Sequence, residues 1–155
     1  MIPNRLIFIW LGQKFPWSGG IAIRSAFQVQ KPQSIWLVHE GMKQEGDGWE
    51  LIKDIPGLEV IPVEDSHFDG LNDDGLCLKL FKELKAPASR ANLLRLALLF
   101  KYGGVYLDTD IIAVKPFNDL LEYEGFIGVE PVALPADLFK GINPFRWIYC
   151  GLQFA

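Results

Sequence analysis

The apolar residues of this chain are grouped into short runs, separated by longer segments that are rich in helix-forming residues. Residues 6–10 are all apolar, a pattern typical of a strand that is buried on both faces. Further runs predict strands at residues 35–38, 58–63, 105–107 and 126–129, and residues 111–114 are expected to continue in an extended conformation. Pro62 cannot donate a hydrogen bond to a neighbouring strand, so the run that contains it is expected at a sheet edge or a strand end.

Helices are predicted between these runs, at residues 21–29, 49–54, 76–84 and 90–102. The last is the clearest, with Ser89 as its N-cap, Lys101 in its final turn and Gly103 in the left-handed conformation just past its end. The alternation of strands and helices predicts an α/β domain with a mostly parallel central sheet. Ligands of such domains bind beyond the carboxyl ends of the strands, where Trp10 and Asp108 are expected.

Composition and charge narrow the functional classes. The 155 residues are half apolar and 22% charged, which is ordinary for one folded domain. The net charge is −4 and the basic residues are scattered, so we expect no nucleic-acid partner. Cys77 and Cys150 are far apart and lack metal-type spacing, which favours a reducing compartment and a cytoplasmic location. No apolar run approaches the ~20 residues that span a bilayer, although peripheral membrane association is compatible with this composition.

The last residues, NPFRWIYCGLQFA, are apolar and aromatic, whereas domain termini are usually polar and exposed. We therefore expect residues 1–155 to form a single domain that is truncated at its C-terminal side.

The stretch KYGGVYLDTDI places two carboxylates directly after a predicted strand. In an extended segment Asp108 and Asp110 would project to the same side, with Thr109 facing away. Two carboxylates that are so close repel each other unless a cation lies beside them. Oxygen ligands without cysteine or histidine suit Mg²⁺ or Mn²⁺, which take further oxygens from a substrate's phosphates. The alternative is that the two acids only cap the strand.

Arg95 lies in a helical segment that is apolar almost all round, so its side chain is expected to be buried. A buried guanidinium needs a carboxylate or a ligand. Arg95 either pairs structurally with Asp108 or another acid, or helps to hold a ligand beside the metal. Asn92 lies one helical turn earlier on the same face and is a candidate for sharing that task.

The segments IPNRLIFIWLG and ANLLRLALLFKYGGVYLDTDIIAVKPF, the second at residues 91–117, resemble the glycosyltransferase family described as the sugar-binding region containing DXD motif. That family includes capsular polysaccharide and mannosyltransferase relatives, and is distantly similar to the catalytic domains of large glucosylating toxins. The arginine, the double glycine, the Tyr-x-Asp-x-Asp motif and the following Lys-Pro match in register. The resemblance implies a GT-A-like, Rossmann-type nucleotide-sugar-binding domain and a metal-dependent, retaining transfer from a UDP- or GDP-sugar to a glycan, lipid or protein hydroxyl.

The resemblance also implies roles for individual residues. Trp10 matches the aromatic residue that stacks on the donor's base, and Arg95 matches the arginine near the donor sugar and phosphates. Asp108 matches the acid near the ribose and sugar hydroxyls, and Asp110 matches the direct ligand of Mn²⁺ or Mg²⁺. The family usually has aspartate where this chain has Asn92. It is also usually longer, so we expect the acceptor-binding part to be missing from residues 1–155.

Three functions other than a transferase are compatible with parts of the sequence. A non-catalytic or degenerate nucleotide-sugar-binding module is compatible with Asn92 and the short chain. A phosphohydrolase of the haloacid dehalogenase type also places Asp-x-Asp after a strand, but it needs a lysine and further acids well downstream. An interaction domain in which the acids only cap a strand would bind neither donor nor metal. His39 and Glu40, at the end of the second predicted strand, lie on the expected ligand edge or in an ordinary loop.

Overall fold

The first apolar run forms one of the two interior strands of a parallel sheet. In the computed structural model, which describes residues 1–128, β1 spans Arg5–Trp10. It pairs with β2, Ser34–His39, on one side and with β4, Val105–Tyr106, on the other. β3, Leu58–Pro62, lies outside β2, so the strand order is β3-β2-β1-β4 and every pairing is parallel. This confirms the predicted α/β fold with a parallel sheet, and the position of β3 at an edge agrees with the expectation from Pro62.

The described residues also contain four α-helices and two 3₁₀ turns. The helices are α1 (Trp17–Gln30), α2 (Asp47–Glu50), α3 (Leu76–Glu83) and α4 (Pro87–Tyr102), and the 3₁₀ turns are Asp65–Phe68 and Asn118–Glu122. None of the helices within residues 1–128 has the length and apolar character that crossing a membrane requires. Cys150 and the apolar final segment lie outside the described residues, and Cys77 is partly buried.

β1 is buried on both faces, as its unbroken apolar run predicts. Leu6 and Phe8 point into a cluster that contains the buried side chains of α1. Ile7 and Ile9 point into a second cluster that contains the buried side chains of α4. Burying each such side chain contributes about 1.5–3 kcal/mol relative to exposure. The period of two along β1 therefore binds one helix layer to each face of the sheet.

The connections on the two sides of β1 run in opposite directions. The chain leaves β1 through α1 to β2, and it returns from β3 through α3 and α4 to β4. The strand order therefore reverses between β1 and β4. In parallel sheets this reversal opens a crevice beyond the carboxyl ends of the two strands, because their connections go to opposite faces.

Two helices, α4 and α1, begin three or more residues earlier than the sequence predicts. α4 begins at Pro87 with Ala86 as its N-cap residue, so the assignment of Ser89 as the N-cap was wrong. Proline has a fixed φ that suits the first helical turn, and it lacks the amide hydrogen that would be unpaired there. α1 likewise begins directly after Pro16, earlier than predicted. Gly103 has φ +63° as expected, but its ψ of −168° lies outside the left-handed helical region.

The segments after β4 do not extend the sheet. Residues 111–114 form no strand, and neither do residues 126–128, whereas residue 129 lies outside the described residues. Ile112 and Val114 are exposed, and the Ala113 amide donates to Ser25 Oγ at 3.1 Å instead of to a strand. An apolar run becomes a strand only where a neighbouring strand can take its backbone hydrogen bonds, and these residues run along α1 instead.

Gln30 anchors the chain that follows the two aspartates. It is the buried last residue of α1, and its side-chain amide donates to Asn4 Oδ1 at 3.1 Å and to Asn118 Oδ1 at 2.8 Å. Its carbonyl oxygen accepts from the Phe117 amide at 2.9 Å. A buried amide with these three hydrogen bonds is well satisfied, and it fixes the end of the segment that leaves β4.

Gly104 is expected to be essential for placing β4 beside β1. Its φ is +104°, and a Cβ atom there would lie 2.9 Å from the Arg5 carbonyl oxygen. Replacing Gly104 with alanine should lower the free energy of unfolding, measured by urea denaturation, by about 2–4 kcal/mol. Gly41→Ala is the matched control, because Gly41 also has a positive φ of +69° but has open space around it. It should cost only about 1 kcal/mol. Equal losses for both variants would contradict the close approach of the two strands.

Candidate functional site

A cavity of about 380 Å³ lies at the reversal point between β1 and β4. Its floor comes from the ends of these strands, through Trp10 and Asp108, and one wall comes from the first turns of α4, through Pro87, Ala88 and Ala91. Tyr106 and Thr109 complete this side of the cavity. The fold thus brings together Trp10 and Asp108, which are 98 residues apart in the sequence. Both had been expected at strand ends on the ligand edge.

Asp108 is oriented by the tyrosine two residues earlier. The Tyr106 hydroxyl donates a hydrogen bond to Asp108 Oδ1 at 2.7 Å. Burial, followed by the negative charge of Asp108, raises the pKa of the Tyr106 phenol well above its ordinary value. The phenol therefore stays protonated and remains a donor to the carboxylate at neutral pH. A charge-assisted bond of this kind holds Asp108 in one orientation at the mouth of the cavity.

Asp110 lies farther out than Asp108. β4 ends at Tyr106, and the chain turns at residues 109 and 110, so the strict alternation of an extended strand does not continue through the motif. Thr109 lines the cavity instead of facing away from it, while the Asp110 side chain is exposed. The charge of Asp110 nevertheless also raises the pKa of Tyr106, after larger effects from burial and Asp108. Both carboxylates are therefore close enough to the same phenol to act on it.

Arg95 is buried, as its apolar helix predicts, with 5% of its surface exposed. Its guanidinium carbon lies 4.7 Å from the centre of the Tyr106 ring, and Nη2 donates to Asn92 Oδ1. The positive charge of Arg95 lowers the pKa of Tyr106, which partly opposes the effects of burial and Asp108. Arg95 thus lies behind the tyrosine that holds Asp108, and Asn92, on the exposed side of α4, is tied to it.

Trp10 is held in place by close packing around its ring. Its indole contacts Phe15 edge to face, with ring centroids 5.8 Å apart. A Cβ atom on Gly12 would lie 3.3 Å from the indole nitrogen, so the ring packs tightly against this position. The indole Nε1 is buried and has no hydrogen-bond partner within the described residues. The aromatic ring is therefore fixed at the cavity by shape rather than by a polar contact.

The end of β2 contributes two contacts next to the cavity. His39 Nδ1 accepts a hydrogen bond from the Met42 amide at 3.2 Å, and burial lowers the pKa of His39, which keeps the ring neutral as that acceptor. Glu40 forms an ion pair with Arg90 of α4, with Arg90 Nη1 to Glu40 Oε2 at 2.5 Å and Nη2 to Oε1 at 2.8 Å. His39 thus organises its own loop, whereas Glu40 connects two elements.

The carboxylate oxygens of Asp108 and Asp110 suit a hard divalent cation that takes further ligands from its substrate. Residues 1–128 contain no group of three or more histidine, cysteine, aspartate or glutamate side chains arranged to hold a metal ion. Asp108 and Asp110 offer carboxylate oxygens only. Mg²⁺, and Mn²⁺ with similar ligand preferences, commonly bind through one or two carboxylates plus water and phosphate oxygens. These two aspartates would therefore hold such an ion together with a phosphorylated ligand.

Sequence reasoning missed two contributors to this site. No role at the site was predicted for Tyr106, but its hydroxyl holds Asp108. An available signal was its place in the strand, two residues before Asp108, where i and i+2 side chains share a face. Arg90 was not singled out, because nothing local indicates that a glutamate 50 residues away is its partner.

Proteins of known identity are similar to this chain in sequence. The chain is 34% identical over 133 residues to glucan organizing enzyme 1 of Cryptococcus neoformans, covering 86% of this chain and 32% of that protein. It is 28% identical over 86 residues to human alpha-1,4-N-acetylglucosaminyltransferase, covering 50% of this chain and 24% of that protein. The chain thus spans about a third or less of the length of these relatives.

The fold has a counterpart among solved structures. The PaToxG glycosyltransferase matches 76% of this chain, and 45% of its own chain is covered, with a TM-score of 0.54 and 24% sequence identity. That likeness concerns the fold. The family model for the glycosyltransferase sugar-binding region containing DXD motif matches residues 22–127, a range that contains Arg95, Asp108 and Asp110. Because this match covers more than half of the chain, the protein belongs to the family of glycosyltransferases with a DXD-containing sugar-binding region.

Proposed function

We propose that this chain is the donor-binding part of a glycosyltransferase that moves a sugar from a nucleoside diphosphate sugar to a hydroxyl acceptor. The observation that carries the proposal is that Trp10 and Asp108 line one cavity at the reversal point of the sheet. An aromatic face and a carboxylate are the groups that recognise a base and sugar hydroxyls. Family membership and the human relative named as a transferase support the same reaction class.

Each site residue has a role in this proposal. Trp10 offers its ring to the nucleotide base, and Asp108, held by Tyr106, accepts hydrogen bonds from ribose or sugar hydroxyls. Arg95 supplies positive charge close to the donor's sugar and phosphates, with Asn92 beside it. Positive charge fixed before the reaction favours the negative charge that grows on a departing diphosphate.

Asp110 and Asp108 would hold Mn²⁺ or Mg²⁺. When bound, such an ion stabilises charge on the leaving diphosphate as a Lewis acid and fixes its position. The exposed position of Asp110 suits a ligand that shares its metal with a substrate and with water. We further propose retention at the anomeric carbon, a UDP- or GDP-sugar as donor, and a glycan, lipid or protein hydroxyl as acceptor.

The remaining features of the proposal concern the whole protein. The chain spans about a third or less of the length of the relatives that it matches, and we propose that it supplies the donor-binding part of the enzyme. The protein works in the cytoplasm, where peripheral contact with a membrane would bring it to a lipid acceptor.

Donor binding is expected to depend on metal. Titration calorimetry with UDP-glucose, UDP-N-acetylglucosamine and GDP-mannose should give heat with one of them in the presence of Mn²⁺, and far less without it. Asp110→Ala should abolish the metal dependence while changing the free energy of unfolding by less than about 0.5 kcal/mol, since its side chain is exposed. Asp119→Ala, at another exposed aspartate, is the control. Absence of heat with all three donors in the presence of Mn²⁺ would refute the proposal.

Tyr106→Phe removes the hydroxyl that orients Asp108 while keeping the ring under Arg95. Donor affinity measured with Mn²⁺ should fall by at least about tenfold, because a hydrogen bond to a charged group is worth about 1.5–3 kcal/mol. Tyr102→Phe is the matched control, since that ring packs on Trp36 at 5.1 Å by the amino ends of the strands. If the two variants bind donor equally well, Tyr106 serves only in packing.

Asn92→Asp restores the acid that the family usually has at this position. A carboxylate accepts stronger hydrogen bonds than an amide, so donor affinity should rise by about three- to tenfold. Asn72→Asp provides the comparison, because it makes the same chemical change in a loop away from the cavity. Weaker donor binding by Asn92→Asp would mean that the amide is required by this chain's own donor.

A further inference from the structure

Arg90 joins three elements with one guanidinium. Its two terminal nitrogens bind both carboxylate oxygens of Glu40, at 2.5 and 2.8 Å, just after β2. Its Nε donates to the Phe81 carbonyl in α3 at 3.1 Å, and its guanidinium carbon lies 4.2 Å from the centre of the Phe81 ring. Lysine cannot reproduce this combination of a two-point contact, a backbone hydrogen bond and stacking.

Glu40 is in turn attached to the floor of the cavity. Its backbone amide donates to the Trp10 carbonyl oxygen at 3.2 Å. A continuous path therefore runs from Trp10 through Glu40 and Arg90 to the second turn of α4. The residues of α4 that form the cavity wall, Ala88 and Ala91, lie on either side of Arg90 in the sequence.

Overall stability does not explain this arrangement well. The Glu40 and Arg90 side chains are 48% and 18% exposed, and ion pairs near the surface contribute little to folding. The bidentate contact allows little sliding of α4 against the end of β2, so the pair fixes the distance between these two elements.

We propose that Glu40 and Arg90 are positioning residues, which set the gap between Trp10 and the first turns of α4 and thereby the fit of the donor's nucleotide. This inference rests on the proposed function, because it assigns the cavity to a nucleotide-sugar. α4 also carries Asn92 and Arg95, two and five residues after Arg90, so the pair fixes the start of the helix that presents both side chains. Neither Glu40 nor Arg90 is among the residues lining the cavity, and both act through other groups.

The test uses the full 155-residue chain and the donor that gives the largest heat with Mn²⁺ among UDP-glucose, UDP-N-acetylglucosamine and GDP-mannose. Glu40→Gln and Arg90→Lys should each weaken donor binding by about tenfold. Their melting temperatures should stay within about 3 °C of the unchanged protein. The ratio of donor affinities with and without Mn²⁺ should not change, since Asp108 and Asp110 are untouched.

Arg24 and Asp54 provide a matched control pair, joined at 2.9 Å on the opposite face of the sheet. Arg24→Lys and Asp54→Asn should leave donor affinity unchanged. The inference is overturned if Arg90→Lys binds donor as tightly as the unchanged protein, or if the control variants lose as much affinity as the Glu40 and Arg90 variants. It is also overturned if the loss of affinity appears only together with a large fall in melting temperature.

The two proposals fail in different ways. If the unchanged protein binds none of the donors with Mn²⁺, the proposed function fails, and the positioning role fails with it. If the unchanged protein binds donor and all four variants bind it with the same affinity, the positioning role alone is refuted.

Discussion

The strand Arg5–Trp10 has a parallel neighbour on each side, and the rest of the structure depends on that double pairing. Its side chains alternate between two apolar clusters, so that one helix layer is attached to each face of the sheet. The connections from β1 to β2 and from β3 to β4 lie on opposite faces, and the crevice between β1 and β4 follows from this. Trp10 and Asp108 meet there because Trp10 is the last residue of β1 and Asp108 follows β4 by two residues.

The charges at this crevice are arranged in layers from the core outward. Arg95 is buried in α4 and lies against the ring of Tyr106, whose hydroxyl binds Asp108. Asp110 follows in the turn and is exposed. From the core outward, a buried cation is followed by a neutral phenol and then by two carboxylates. Negative charge therefore lies at the surface, and the positive charge that compensates it lies behind. Such an order suits the proposed binding of a metal ion together with a diphosphate, because carboxylate oxygens at the surface can share a cation with phosphate oxygens.

A second set of contacts controls the shape of the crevice without entering it. The ion pair between Glu40 and Arg90 ties α4 to the end of β2, and the buried Gln30 amide ties the segment after the aspartates to α1. Gly104 marks a place where the backbone approaches too closely for a side chain, and Gly12 lies in tight contact with the Trp10 ring. The crevice therefore contains few chemical groups, and contacts outside it set its geometry. The match to the family, at 22–127, covers most of these supporting contacts as well as the motif itself.

Elements whose signals are local could be inferred from the amino-acid sequence. The unbroken apolar run of β1, the burial of Arg95 in an apolar helix and the position of Asp108 after a strand could all be inferred, because periodicity and composition report burial directly. Which side chains are partners depends on the packing of distant elements and could not be inferred in this way. The bond from Tyr106 to Asp108 depends on where β4 ends, and the pairing of Glu40 with Arg90 depends on two elements 50 residues apart meeting at one edge. The failure of residues 111–114 to form a strand has the same origin, since an apolar run contains no information about whether a neighbouring strand is available to pair with it.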